Sequence, residues 1–333
     1  MHAVLEAFHR AGRSAGLDER FVTVGGHAIR QRFAGPELLT PLHSAFAVRR
    51  SAGDPEDLSV FLWDSATTGV PLPESPFSDE TARTFSTEGI TLVRHPTERT
   101  LFLWDANRRQ AVYWVADSRA IPEWEQAAPM RLLLHWWTAG RPLQLVHSSA
   151  VGGPAGGVLL AGRGGSGKST TALACFQAGL SYAGDDFVLA EIGPSPRVHA
   201  LYGTGKLAAD SLSRLPSFQD AILNPGRGPA EKAILSMDRV RPGGVIESFP
   251  LRAILLPRVS DNGQTSWARA SAAEALGALA PSTLFQLSGG REESFRKMSE
   301  LVRLVPSYRL ELGSDLSAIT GAVHELLERP GSI

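Results

Sequence analysis

Nine residues, Gly162-Arg163-Gly164-Gly165-Ser166-Gly167-Lys168-Ser169-Thr170, restrict the fold of this chain more than any other stretch. They satisfy G-x-x-x-x-G-K-[ST], the P-loop pattern, at every specified position. The flanks agree with it. Gly157-Val158-Leu159-Leu160-Ala161 upstream is a short apolar run of the kind that forms a buried strand. Thr171 to Ala178 downstream carries helix formers and ends at Gly179, a natural residue to follow a helix C-terminus. Strand, glycine loop and helix aim backbone N–H groups and the positive end of a helix dipole at a phosphate. The expected ligand is therefore a nucleoside triphosphate (ATP in the kinase reading below), held by Gly162, Gly164, Gly165, Ser166, Gly167, Lys168, Ser169 and Thr170. Lys168 reaches for the β- and γ-phosphates, and the Ser169 hydroxyl for Mg²⁺.

Past Gly179 the chain reads Leu180-Ser181-Tyr182-Ala183-Gly184-Asp185-Asp186-Phe187-Val188-Leu189-Ala190. Two carboxylates within an apolar strand are costly to bury unless a metal or a proton stabilises them. About twelve helical residues advance about 18 Å from the glycine loop, and five extended residues return about 17 Å. Asp185 and Asp186 are thus expected beside Lys168 and Ser169. One can ligate Mg²⁺ while the other accepts a proton from an attacking hydroxyl. Alternatively Asp185 caps a strand bend and Asp186 alone meets the metal.

Upstream, Leu143 to Val151 reads as one strand with His147 near its end, turned by Gly152 to Gly157 into the strand before the glycine loop. His147 is either a structural histidine of the sheet or, brought near the reactive end of the nucleotide, a partner that orients a carboxylate base.

His147, the Gly162–Ser169 loop and Gly184-Asp185-Asp186, in this order and spacing, resemble the catalytic domain of HPr serine kinase/phosphorylase. ATP-dependent phosphoenolpyruvate carboxykinase has a related core. The Leu-Trp-Asp segments and the Met130–Thr138 stretch leading into Leu145-Val146-His147 are similar to the HPr-kinase-like proteins of lasso-peptide gene clusters. That resemblance implies an α/β fold with a C-terminal P-loop core of HPr-kinase type and a smaller N-terminal α+β domain. It also implies phosphorylation of a side-chain hydroxyl, serine or threonine, at or near the C-terminus of a precursor peptide. Under it Asp185 is the base, His147 its partner and Lys168 the third catalytic group, which leaves Asp186 with Ser169 for the metal. Lys232 resembles a lysine near the nucleotide in such relatives, with a merely solvated side chain as the alternative. The family also implies a possible homo-oligomer. One departure stands out: Val198 to Lys206 lacks the glutamate and Arg-Gly signature of true HPr kinases, which argues against HPr as substrate and against phosphorolysis.

The N-terminal third offers no comparable chemistry. A helix is expected over 1–18, a hairpin over Phe21–Phe33 turned at Gly25-Gly26, and a helix opening at Pro36. Val60-Phe61-Leu62-Trp63-Asp64 and Leu101-Phe102-Leu103-Trp104-Asp105 each read as a strand ending in an Asp-initiated turn. Their aromatic residues serve core packing or ligand stacking. Residues 65–90 read as a long loop and 123–138 as one helix bridging two domains, 1–125 for recognition and 126–333 for catalysis. By elimination the first is a candidate partner or substrate-recognition domain. Residues 203–212 read as a turn entering a helix with Lys206 at its start, and Arg258 as a strand-end arginine, solvated or facing phosphate.

Composition excludes little but is consistent. Of 333 residues, 43% are apolar and 20% charged, with a net charge of −1 that gives no global field for nucleic acid or anionic lipid. The single cysteine, Cys175, forbids an internal disulfide. No membrane span or signal segment is apparent, so the expected setting is cytoplasmic. A regulatory or assembly ATPase and a small-metabolite kinase are the competing functional readings.

Overall fold

The computed structural model describes residues 1–50, 56–73, 83–95, 99–260 and 263–328 of a mixed α/β chain. The chain forms two compact units, Met1–Ala139 and Gly140–Ile333. The contacts therefore group 126–139 with the first unit rather than the second. A single helix over 123–138 is replaced by two short ones, Glu123–Ala127 and Arg131–Trp137. Met130 separates them in a left-handed conformation (φ 59°), its N–H bonded to the buried Glu125 carboxylate at 2.8 Å.

The first unit is built on eight strands in the order Arg49–Arg50, Leu17–Val24, His27–Ala34, Leu58–Asp64, Gln110–Val115, Thr100–Asp105, Ile90–His95 and Arg83–Thr87. The expected hairpin is present, and Gly25 and Gly26 turn it with φ of 58° and 80°, a pair of values that strongly favours glycine. Helix His2–Ala15 lays Phe8 edge-on against Phe61 and Trp63. These aromatic residues are buried with Leu101, Leu103 and Trp114, so the Leu-Trp-Asp segments are core. Both end as expected: Asp64 accepts from Thr67 N and Asp105 from Arg108 N, each at 3.1 Å. Residues 65–90 are not one loop. Ser65–Thr68 is helical and Arg83–Thr87 a strand, while 74–82 lie outside the described residues. After Pro36 there is only one irregular helical turn, Leu39–His43.

The second unit places the site. Three parallel strands, Gly156–Leu160, Ser248–Val259 and Ser307–Leu312, form its centre. Ser149–Gly153 pairs antiparallel with Gly156–Leu160, and Ser181–Gly184 with Ser149–Gly153. On the far side the first residues of Ser248–Val259 pair with Arg197–His199, followed by Val188–Glu191 and Leu143–Val146. Helix Lys168–Gln177 packs against helix Leu316–Glu328, burying Leu173, Phe176, Ile319 and Val323 with Val158 and Leu255 of the sheet. Helices Ala272–Gln286 and Arg291–Leu304 cover strand Leu143–Val146.

Two expected strands are broken, both at chemistry-bearing residues. Leu143–Val146 and Ser149–Gly153 pair with different neighbours, so His147 and Ser148 form the step between them. Likewise Ser181–Gly184 and Val188–Glu191 are separate strands joined at Asp185-Asp186-Phe187. Asp186 turns that corner at φ 72°, unfavourable for a side chain with a Cβ and tolerated by a short polar one. The carboxylates thus sit in a turn, Asp185 buried and Asp186 partly buried, and hydrogen bonds from side chains offset the burial cost anticipated for an in-strand pair.

Candidate functional site

Strand Gly156–Leu160, the loop Gly162–Gly167 and helix Lys168–Gln177 follow one another in the expected order. Gly167, at φ 97°, caps the helix, and a Cβ there would strike Leu312 Cδ1. The left-handed conformation strongly favours glycine at this position, and a side chain would also displace the tip of Leu312. Lys168 is 7% exposed and folds back over its own loop, donating to Gly162 O at 2.7 Å and Arg163 O at 3.0 Å. Burial lowers its pKa, and Lys232 pushes the same way, against the opposing pull of Asp185 and Asp186.

Opposite the loop stands the acidic pair, and the two carboxylates have different partners. Asp185, 3% exposed, accepts on Oδ1 from Ser149 Oγ at 2.5 Å and Ser169 Oγ at 2.9 Å, and on Oδ2 from Lys206 N at 3.1 Å. Asp186 bonds His147 Nε2 through Oδ1 at 3.1 Å and Lys206 Nζ through Oδ2 at 2.6 Å. Burial alone would raise the Asp186 carboxyl. The His147 hydrogen bond and the Lys206 ammonium outweigh that and hold it well below the usual carboxylate range.

This pairing corrects the expected one. His147 was matched with Asp185, and Ser169 with Asp186; each makes the other contact. The reason is the Asp186 corner: a left-handed residue swings its side chain away from the direction its predecessor takes. Asp185 continues toward the helix N-terminus and Ser169, while Asp186 turns to the step at His147. The backbone N–H of His147 is itself tied to Thr283 Oγ1 at 3.0 Å, which fixes the step against helix Ala272–Gln286.

Lys206 is the residue whose importance the sequence reading understated. It lies on a strand, Thr204–Leu207, rather than at a helix start, and helix Ala209–Ser213 begins only after it. That strand pairs antiparallel with Ala233–Ser236, setting Leu207 opposite Ala233, next to Lys232. Lys206 therefore touches both carboxylates, one through its backbone and one through its ammonium. The available signal was its place in the segment that lacks the glutamate signature.

A cavity of about 420 Å³ opens over these groups, within the usual range for small-ligand sites. Its walls include His147, Lys168, Ser169, Thr170, Asp185, Asp186, Lys206 and Lys232, together with Gly164, Gly165 and Gly167. Arg258 is exposed at the end of its strand and is not part of the wall. Thr170 Oγ1 donates to Ser211 Oγ at 3.0 Å, tying the start of the loop helix to helix Ala209–Ser213. Cys175 is buried, with its thiol pushed up to about 12 by burial, and takes no part. Among the described residues no group of three or more His, Cys, Asp or Glu side chains could hold a metal, and no helix is long and apolar enough to cross a membrane.

No protein-family model matches the chain, and no curated protein matches it by sequence. Among solved structures it is similar to the Hpr(Ser) kinase/phosphatase from Coxiella burnetii, at 13% identity and a TM-score of 0.32. The match covers 55% of this chain and 95% of that one.

Proposed function

We propose that the unit Gly140–Ile333 is an ATP-dependent phosphotransferase that delivers the γ-phosphoryl group to a hydroxyl, with a ribosomal precursor peptide as the acceptor. The observation that carries this reading is the convergence of two separately partnered carboxylates on the glycine loop: Asp185 on Ser169, and Asp186 on His147 and Lys206. A site that only bound a nucleotide has no use for the second.

The roles follow from the partners. The backbone N–H groups of the loop and Lys168 hold the triphosphate, and Lys168 exchanges its present carbonyl partners for phosphate oxygens. Asp185 and Ser169 offer Mg²⁺ a carboxylate and a hydroxyl, hard oxygen ligands suited to an ion that keeps water and phosphate as its other ligands. When bound, that ion neutralises charge on the transferred group. Asp186 is the proton acceptor for the attacking hydroxyl. His147 orients it, and Lys206 keeps it ionised while setting its own ammonium near where negative charge accumulates. A loose phosphoryl-transfer transition state asks little of a base, so a weakly basic carboxylate suffices. The acceptor class rests on the resemblance of His147, the glycine loop and the acidic pair to peptide-modifying HPr-kinase-like proteins, together with the absent glutamate signature.

The test is product analysis. ATP and Mg²⁺ are supplied with synthetic peptides whose C-terminal residue is serine, threonine or alanine, and the products are sequenced by mass spectrometry. The expected result is phosphate on the hydroxyl peptides and none on the alanine peptide. Phosphate released to water alone, with every peptide unmodified, overturns the kinase reading in favour of an ATPase.

A further inference from the structure

One row of side chains in the second unit contains a residue that packing alone does not call for. Across the antiparallel pair, Ser149 stands opposite Leu160 and Val151 opposite Val158. Opposed residues, and residues two apart on one strand, share a face of the sheet, so these four form a row. Val151, Val158 and Leu160 are buried with Leu173 and Phe176 of helix Lys168–Gln177. Ser149 is buried as completely, at 0% exposure. A hydroxyl placed among apolar side chains costs stability unless it finds a partner. Ser149 Oγ donates to Oδ1 of Asp185.

The register explains why this carboxylate is the one that Ser149 meets. On the other side of its strand Val151 pairs with Tyr182 but Ala150 pairs with Gly184, so Ala183 is one residue too many for a regular ladder. Bulges of this kind re-aim side chains beside functional sites. A regular ladder would set Gly184 level with Ser149, and the extra residue sets Asp185 there instead. Asp185 then accepts from Ser149 and Ser169 on one oxygen and from Lys206 N on the other. Ser169 lines the cavity and must also offer its oxygen to Mg²⁺. Ser149 is not part of the cavity wall, so it acts on the carboxylate alone.

We propose that Ser149 is a positioning residue: with the Ala183 bulge it sets the Asp185 carboxylate, in advance, in the orientation that takes Mg²⁺. This rests on the nucleotide reading above and extends it to a residue that touches neither nucleotide nor ion. Hydrogen-bond partners of a metal ligand fix its direction and tune its affinity for the ion.

Calorimetric titration of ATP into the full chain, in EDTA and at rising Mg²⁺ without any acceptor, reads the ion separately from turnover. In the unaltered chain Mg²⁺ should tighten ATP binding with a measurable midpoint concentration. Ser149→Ala should raise that midpoint about tenfold or more and change the affinity in EDTA by less than about twofold. Added to Asp185→Asn, it should move the midpoint by less than about twofold, because it acts through that residue. Val151→Ala cuts into the same row without touching Asp185, so it should unfold at lower urea and leave the midpoint in place. The positioning role is overturned by an unchanged midpoint in Ser149→Ala, an equal loss in EDTA, a matching shift in Val151→Ala, or a full shift in the Asp185→Asn background. It is overturned as well if Mg²⁺ does not tighten ATP binding to the unaltered chain. Each of those outcomes leaves ATP binding standing; failure of the unaltered chain to bind ATP in either buffer overturns the nucleotide reading, and this inference with it.

Discussion

Each unit ends strands with aspartates, and the two pairs behave differently. In the first unit Asp64 and Asp105 turn back on their own chain, accepting from backbone N–H groups three residues ahead. In the second, Asp185 and Asp186 reach side chains 16 to 39 residues away: Ser149, Ser169, His147 and Lys206. A carboxylate that accepts from its own turn is committed to local structure, because the accepting oxygen is directed at a fixed N–H group, even though the buried Oδ1 of Asp64 has no partner. A pair held by hydroxyl, imidazole and ammonium groups from three separate segments has partners that a ligand can displace. The span of the partners, rather than burial or charge, separates the structural pair from the chemical pair: Asp64 is 1% exposed and Asp185 3%.

The sharpest way to break this comparison is to neutralise the second pair one member at a time. Asp186→Asn should lower kcat by about 10²–10⁴-fold with little change in ATP affinity, as removal of a general base does. Asp185→Asn should instead raise the Mg²⁺ concentration needed for half-maximal rate. His147→Ala should act through Asp186, giving a smaller loss that adds nothing in the Asp186→Asn background. Initial rates across Mg²⁺ and ATP concentrations measure all three. The reverse pattern, with Asp185→Asn abolishing kcat and His147→Ala additive to Asp186→Asn, would restore the assignment expected from the sequence.

The first pair should fail in another currency. Asp64→Ala removes the side-chain acceptor of Thr67 N at the start of helix Ser65–Thr68. A lost N-cap costs about 1 kcal/mol, so the variant should unfold at lower denaturant while binding ATP normally. Urea titration read alongside ATP calorimetry gives both quantities. A drop in ATP affinity would show that the local–distant distinction does not sort these aspartates.

What the sequence disclosed follows the same division. Local patterns were legible: the Gly25-Gly26 hairpin, the Asp64 and Asp105 turns, the strand, loop and helix around Gly162–Thr170, and the arrival of the acidic pair beside Ser169. Each depends on neighbouring residues or on an element length. The division of partners between Asp185 and Asp186 was not legible, because one φ of 72° at Asp186 decides it, and apolar flanks read equally well as one continuous strand. Lys206 was misplaced for a related reason. Gly203-Thr204-Gly205 looks like a turn, and only pairing with the distant Ala233–Ser236 makes it a strand. The expected single helix over 123–138 broke at Met130, whose N–H goes to the buried carboxylate of Glu125, five residues back, in place of a regular helical bond.

Histidines extend the comparison to its smallest effect. In the second unit His147 faces a carboxylate, whereas in the first His43 faces a neutral amide, its Nδ1 2.7 Å from Oε1 of the fully buried Gln31. Burial, with Arg49 and Arg20 adding to it, lowers the His43 pKa from 6.5 to about 4, an outcome the partial opposition of Asp18 does not prevent. The sign is fixed by proton counting. Between pH 6.5 and about 4 the unfolded chain binds a proton at this residue that the folded chain refuses, so stability falls as pH drops through that window. His43 is only half buried, and solvent screening keeps the loss modest. Amide hydrogen exchange on strand His27–Ala34, followed in the full chain from about pH 7 down to about pH 4.5 and corrected for intrinsic rates, should show protection declining with pH. His43→Leu should flatten that decline by removing the proton site. If the slope survives the substitution, the acid sensitivity of this sheet belongs to another group, and the amide-faced histidine is as indifferent to pH as a packed apolar side chain.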